Sequence, residues 1–115
     1  MNPESKELLI LWTTSDRDSA ENMVFMYGQN AMRNNGWDRV TLLIWGGATR
    51  LIAADSQLQD KLTKVREAGV EIIACKGCAE KLDLIQDLEE LGIHVFYTGQ
   101  FLTEWLKADK KILTI

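Results

Sequence analysis

The sequence contains no long hydrophobic run, and this absence argues against a membrane-spanning or secreted protein. Its first apolar run, from Leu8 to Trp12, is too short for the core of a signal peptide. No segment approaches the roughly 20 consecutive apolar residues of a membrane helix. We therefore expect a cytoplasmic protein that has no membrane partner. Hydrophobic residues make up 46% and charged residues 26% of the 115 residues, which is the balance of a globular domain.

Clusters of basic residues and sets of metal ligands are also missing. The net charge is −4 at pH 7, and the Lys and Arg residues are scattered among acidic ones, so we expect no nucleic-acid partner. The chain has one histidine, His94, and two cysteines, which are too few for a four-ligand zinc site, and no metal is expected. The place of His94 inside an apolar run favours a packing role.

Nucleotide-binding and hydrolase motifs are absent as well. Gly46-Gly47 belongs to neither a G-x-G-x-x-G fingerprint nor a P-loop. We therefore predict a tight turn there rather than a nucleotide site. Thr14 and Ser15 lie outside a G-x-S-x-G elbow, and a single histidine supplies no convincing Ser-His-Asp set. These hydroxyl groups are better explained as helix caps.

Apolar runs alternate with helical patterns along the chain. The predicted strands cover residues 8–12, 40–45, 70–74, 93–97 and 112–115. The first predicted helix carries its apolar residues from Ala20 to Ala31, with a capping box at Ser15 and Asp18 and a stop at Asn35-Gly36. The later predicted helices are a short one at residues 49–54, one capped by Asp55-Ser56 and ended by Gly69, one from Ala79 to Leu91 ended by Gly92, and a short amphipathic one around residues 101–106.

This alternation predicts an α/β fold. Strands that are apolar nearly throughout, each joined to the next by a helix, indicate a mostly parallel five-stranded sheet with helices on both faces and right-handed crossovers. The length suits a single three-layer domain that spans residues 1–115, with residues 1–6 as a flexible amino terminus.

The most informative segment is Ala74-Cys75-Lys76-Gly77-Cys78-Ala79, because both cysteines fall where a strand ends and a helix begins. A helix start stabilises a thiolate, and its N–H groups, aided by Lys76, would hold an anionic sulfur near Gly77. Sites in open α/β sheets lie along the carboxyl edge. The residues expected to line that cleft are Thr13, Thr14, Ser15, Gly46, Gly47, Tyr97, Thr98 and Gly99.

Several segments together resemble the DsrE/DsrF-like superfamily: Leu42 to Ala48, Gly69 to Ala79 and Gly92 to Val95. The resemblance implies a compact three-layer α/β domain that forms a homo-oligomer, such as a trimer or hexamer. In the sulfur-relay members a cysteine at the end of the third strand carries a persulfide. Ala74-Cys75 resembles the branch in which that cysteine stands alone. Cys78 resembles the YchN-like branch, although Ala79-Glu80-Lys81-Leu82 stands where that branch has Met-Asp-Ala-Arg-Gly.

The resemblance thus implies a small sulfur carrier that needs no cofactor and has sulfur donor and acceptor proteins as partners. Cys75 and Cys78 are the candidate catalytic residues. Cys78 should be the more acidic thiol if the strand ends at Cys75, while the family match puts Cys75 slightly ahead as the carrier. A dithiol redox or sensing protein, and a non-catalytic interaction or small-ligand module, stay open as alternatives, as does the question whether the protein is an enzyme.

Overall fold

The computed structural model describes residues 6–34 and 36–115, and its centre is a five-stranded sheet. The strands are β1 (Glu7–Trp12), β2 (Arg39–Ile44), β3 (Glu71–Cys75), β4 (His94–Phe96) and β5 (Lys111–Thr114). Their order across the sheet is β4-β3-β2-β1-β5, and every described pair is parallel. The predicted α/β fold is confirmed, and the described sheet is wholly rather than mostly parallel. The expected flexibility concerned residues 1–6, of which 1–5 lie outside the described residues.

The helices follow the strands in alternation. The first helix consists of α1 (Arg17–Ser19), a π-helical segment (Ala20–Phe25) and α2 (Met26–Arg33). The later helices are α3 (Gly47–Ala54), α4 (Ser56–Glu67), α5 (Lys76–Leu82), α6 (Ile85–Glu90) and α7 (Gly99–Lys107). Within residues 6–34 and 36–115, no helix is both long and apolar enough to cross a membrane.

The strand order explains why the two faces of the sheet are covered unequally. From β1 to β4 each crossover steps in the same direction, so right-handed connections place α1 to α6 on one face. The step from β4 to β5 runs the other way and places α7 on the opposite face. The larger core is accordingly built by the first group of helices, and the smaller core consists of Leu9, Leu43, Ile73 and Trp105, the last from α7.

The amino end of the first helix differs from the prediction. Asp16, rather than Ser15, is the N-cap, and its carboxylate accepts a hydrogen bond of 2.9 Å from the Ser19 N–H. The capping box predicted at Ser15 and Asp18 is therefore wrong by one position, because aspartate caps a helix as well as serine does. The helix ends at Arg33, and Asn35 of the predicted stop lies outside the described residues.

The single helix predicted from Ala79 to Leu91 is divided into α5 and α6. Asp83 adopts the left-handed conformation, with φ of 57°, and the Leu84 N–H donates to the Ala79 carbonyl at 2.8 Å. A bond of this span closes a helix in a Schellman-type turn, and aspartate tolerates the left-handed region better than most residues. The sequence did not reveal the break at Asp83, because the helical spacing of apolar residues continues across it. By contrast, the predicted cap at Asp55 is confirmed by its 3.0 Å bond from Leu58 N–H.

Candidate functional site

Cys75 is the last residue of β3 and the N-cap of α5. Side chains alternate along a strand, so Cys75 points to the same face as Ile73, which belongs to the core beneath α7. Its side chain is buried, at 7% exposure. Cys78 lies one helical turn further on and is half-buried. The two cysteines are not joined by a disulfide in this structure, and they lie at the carboxyl edge of the sheet as predicted.

The environment of Cys75 favours its thiolate. Burial raises the pKa of this thiol, but the N–H of Cys78, the Thr98 hydroxyl, the Cys78 thiol and the N–H of Gly77 together lower it below its ordinary value. The Cys75 side chain forms no capping hydrogen bond with the N–H groups of α5. Hydrogen-bond donors near the Cys75 sulfur can shorten their contacts with it when negative charge develops there.

Thr98 contributes a buried hydroxyl that is not engaged by another group of the described residues. The residue is fully buried, and its Oγ1 has no partner of standard geometry in the part of the chain that the structure describes. A buried hydroxyl without a partner costs stability, about 1–3 kcal/mol. This hydroxyl lowers the pKa of the Cys75 thiol. The Thr98 hydroxyl, in the loop between β4 and α7, therefore lies near the Cys75 sulfur without a formed hydrogen bond to it.

Cys78 has the opposite acid–base character. Burial raises the pKa of its thiol, the N–H of Gly46 lowers it, and the negative charge and hydrogen bond of Cys75 raise it again, so the pKa lies above the ordinary value. The expected order of acidity is thus reversed, although β3 does end at Cys75. The reason is position: Cys75 at the N-cap receives the donors of the first turn, whereas Cys78 within that turn acts as one of them.

Gly46 connects the loop after β2 to the cysteine pair. Its N–H donates to Cys78 Sγ at 3.4 Å. Its φ is +60° with ψ of −133°, a combination that glycine adopts and other residues avoid. The neighbouring Gly47 has little room for a side chain, because an added Cβ would lie 3.2 Å from both Ser15 Cβ and the Thr13 carbonyl oxygen. The two glycines are therefore required for the tight turn that brings this loop to Cys78.

The other predicted cleft residues are more dispersed. Thr13 and Thr14 donate their N–H groups to the Ile115 carbonyl, at 2.6 and 3.2 Å, and Thr14 Oγ1 accepts from Asp16 N–H at 3.0 Å. These contacts tie the loop after β1 to the end of β5. Ser15 is exposed beside Gly47, and Gly99 has open space around it as the first residue of α7.

Lys76 and Tyr97 lie together at the surface. The Lys76 ammonium is 5.1 Å from the centre of the Tyr97 ring, and the Tyr97 hydroxyl donates to Glu80 Oε2 at 2.8 Å. The aromatic ring is 61% exposed. The Lys76 ammonium thus contacts the Tyr97 ring, and its help to the anionic sulfur stays a prediction, while the N–H of Gly77 lowers the pKa of Cys75.

A cavity of 280 Å³ lies next to the pair, and it includes residues that the sequence analysis missed. It is lined by Gly46, Gly47, Arg50, Cys78, Lys81 and Leu82. Arg50 and Lys81 could have been found by spacing, because each follows a predicted site residue by three positions, Arg50 after Gly47 and Lys81 after Cys78. Residues three apart share a helix face. His94 is not part of the site, since it pairs with Ile73 and its ring packs 4.6 Å from that of Phe96.

Comparison with known proteins places this architecture among solved structures. No protein-family model matches the chain, and no curated protein matches it. The ychN protein from E. coli has a TM-score of 0.68 at 16% identity over 97% of this chain, and MTH1491 from Methanobacterium thermoautotrophicum has 0.76 at 15% over 97%. Both of those chains are covered completely, so these two proteins share the fold.

A third structure is closer in sequence. BT1422 from Bacteroides thetaiotaomicron, a conserved protein of unknown function, is 37% identical, with 99% of this chain and 100% of that chain aligned at a TM-score of 0.95. Identity at this level over the whole length reflects a shared family as well as a shared fold. The chain therefore belongs to the same family as BT1422.

Proposed function

We propose that the protein is a small DsrE-like sulfur carrier that holds a persulfide on Cys75. The observation that carries this proposal is the place of Cys75, a buried thiol that ends β3 and forms the N-cap of α5, with the Cys78 thiol one helical turn further on. A persulfide ends in an anionic sulfur, which needs hydrogen-bond donors and the positive end of a helix. Low exposure protects that sulfur from reaction with solvent oxidants.

The fold supports the same function at a coarser level. The shared architecture with ychN and MTH1491 agrees with the DsrE-like resemblance of the sequence. A fold hosts many functions, so the weight of the proposal rests on the cysteine site itself. No cofactor is needed, because the chemistry consists of sulfur exchange between thiols. The partners would be sulfur donors and an acceptor thiol.

A homo-oligomer is part of the proposal. Among the described elements, α7 alone covers the second face of the sheet. Leu11, Trp45, Phe96, Phe101, Leu102 and Ile112 remain partly exposed around its core. Leu106 on α7 is 51% exposed. Apolar side chains gathered on one thinly covered face suit contact with a second copy of the chain. A trimer or hexamer would bury this face.

A dithiol redox or sensing function is the second candidate. The observation that favours it is the spacing of the two thiols, Cys75 at the N-cap of α5 and Cys78 one turn later, with the pKa of Cys75 lowered and that of Cys78 raised. Such a pair can form a disulfide when an oxidant removes two electrons. This reaction releases two hydrogens and retains no added sulfur, so the two functions differ in the mass of the product.

The test is the intact mass of the reduced wild type, Cys75→Ser and Cys78→Ser after brief exposure to a sulfane-sulfur donor, with thiols blocked beforehand as a control. The carrier function predicts a gain of one sulfur atom in the wild type, mapped to Cys75 and passed on to a second thiol. Cys75→Ser should lose the stable, transferable sulfur. Loss of two hydrogens alone would favour the dithiol function, and complete inertness would contradict both.

A further inference from the structure

We propose that the cavity beside Cys78 binds a small dianion that carries a sulfane sulfur, and that this anion is the donor to the cysteine pair. The inference rests on the proposed carrier function and names the chemical class of its donor. The cavity volume of 280 Å³ is close to the lower end of small-molecule sites, about 300 Å³. It therefore suits a compact donor rather than a nucleotide or a large cofactor.

The charge of the cavity selects an anion. Arg50 and Lys81 line it, and its lining includes no acidic residue. Neither cation forms an ion pair within residues 6–34 and 36–115, and both residues are exposed to solvent. A guanidinium and an ammonium that converge on one cavity without a counter-charge provide charge-assisted hydrogen bonds for an oxyanion or a carboxylate.

The backbone reinforces this preference. The first residue of α3 is Gly47, and its N-cap Gly46 has no side chain to satisfy the first turn. The positive end of the α3 dipole therefore faces the cavity that these two glycines line. Leu82 contributes an apolar wall. The cavity therefore has a positively charged side and an apolar side. A ligand with a charged oxyanion end and a less hydrated sulfur end matches these two sides.

The position of the two sulfurs fixes the order of events. Cys78 lines the cavity and is half-buried, whereas Cys75 lies beneath it toward the α7 face. A donor in the cavity meets Cys78 first. Cys75 precedes Cys78 by one helical turn at the start of α5, so its sulfur is the neighbouring group that can exchange a proton with Cys78.

Thiosulfate is the simplest member of this donor class, and the transfer balances without an oxidant or reductant. As the Cys78 proton passes to Cys75, Cys78 Sγ attacks the sulfane sulfur. A new S–S bond forms on Cys78, the S–S bond of thiosulfate breaks, and sulfite leaves with the electron pair. Cys75 Sγ then attacks the outer sulfur, the bond between that sulfur and Cys78 Sγ breaks, the proton held by Cys75 passes back to the leaving Cys78 sulfur, and the persulfide rests on Cys75.

The experiment separates anion binding from sulfur transfer. Sulfate has the charge of thiosulfate but no sulfane sulfur, so it reports binding alone. Alkylation of Cys78 by uncharged iodoacetamide is followed by peptide mapping in sulfate and in sodium chloride of equal ionic strength. The variants are Arg50→Gln/Lys81→Gln and the matched control Lys64→Gln/Lys107→Gln, which removes two exposed charges elsewhere. Loading from thiosulfate is measured in parallel, with Cys78→Ser added.

Sulfate at about ten times its Kd should slow alkylation of wild-type Cys78 roughly tenfold. The Arg50→Gln/Lys81→Gln variant should bind sulfate about 100-fold more weakly and load correspondingly slowly, because it loses two charge-assisted contacts. The control pair should match the wild type, and Cys78→Ser should fail to load. If sulfate protects Cys78 from alkylation but the wild type takes no sulfur from thiosulfate, the carrier function is contradicted and the anion site is still supported. Equal loading of all variants, or no effect of sulfate beyond that of chloride, would overturn the inference.

Discussion

The Gly46 N–H donates to Cys78 Sγ at 3.4 Å, and this contact joins the loop after β2 to the helix after β3. It uses a backbone conformation, with φ of +60°, that a larger residue adopts only with strain. One strained position thereby sets the distance between the glycine turn and the thiol. The contact also opposes the burial and the Cys75 charge that raise the pKa of Cys78.

Replacement of Gly46 by alanine should therefore affect both stability and the thiol. We expect Gly46→Ala to lower the free energy of unfolding by about 1–3 kcal/mol. The pKa of Cys78 should rise further as the N–H moves away, so its alkylation at neutral pH should slow. Urea unfolding and pH-dependent alkylation measure the two effects. Gly99→Ala is the control, since open space surrounds Gly99, and equal losses in both variants would contradict this explanation.

Thr98 should tune the reactivity of Cys75 without supporting the fold. Thr98→Val keeps the shape but removes the hydroxyl, so the pKa of Cys75 should rise and its alkylation at neutral pH should fall severalfold. The free energy of unfolding should stay level or increase by up to about 1 kcal/mol, because an unsatisfied buried group is removed. The measurement is the pH dependence of Cys75 alkylation, combined with urea unfolding.

Two variants control this experiment. Thr98→Ser retains a hydroxyl and should keep a reactivity near that of the wild type. Thr49→Val removes the other buried hydroxyl without a partner in the described residues, so it should match the stability change but leave Cys75 unaffected. A lower reactivity of Cys75 in all three variants would point to general packing rather than to the Thr98 hydroxyl.

The α7 face should govern assembly. Leu106→Asp places a charge on the thinly covered side of the sheet, and we expect it to convert the proposed homo-oligomer to monomers, because an interface core excludes unpaired charge. Light scattering after gel filtration measures the mass. Met26→Asp is the matched control, since Met26 is 53% exposed on α2, on the other face, and should leave the mass unchanged. A monomeric wild type would contradict the assembly proposal directly.

Asp55 should stabilise the protein only where it is ionised. The N–H of Leu58 and the guanidinium of Arg17 lower the pKa of this carboxyl. A folded pKa below the unfolded value, about 3.9 for aspartate, gives stability that is present above that pH and is lost as the pH falls through the folded pKa. Asp55→Asn retains a capping oxygen but removes the charge that holds Arg17 Nε at 2.7 Å.

The melting temperature of Asp55→Asn should therefore be lower than that of the wild type at neutral pH, and the difference should shrink in acid. Thermal unfolding at both pH values measures this. Asp60→Asn, on the exposed surface of the same helix α4, should have little effect at either pH. A difference between wild type and Asp55→Asn that persists unchanged in acid would show that the charge is not its cause.

Local sequence signals predicted most of the elements. The five apolar runs correspond to the five strands, with ends shifted by a residue, because hydrophobic periodicity reports burial directly. The break at Asp83 escaped detection, since apolar residues on both sides of it face the same core. The cysteine pair was found from its place between strand and helix. Its acid–base character was not, because the pKa of each thiol depends on which donors surround its sulfur.

The sequence by itself determined the α/β class, the parallel sheet and the edge at which both cysteines lie, since these follow from local patterns of burial and from the rule that crossovers are right-handed. The tertiary structure decided the strand order, the thin cover over the α7 face and the partners of each sulfur. Thr98 reaches Cys75, and Gly46 with Arg50 reaches Cys78, from segments more than 20 residues away in the chain. No local pattern encodes such distances, because they result from the packing of whole elements.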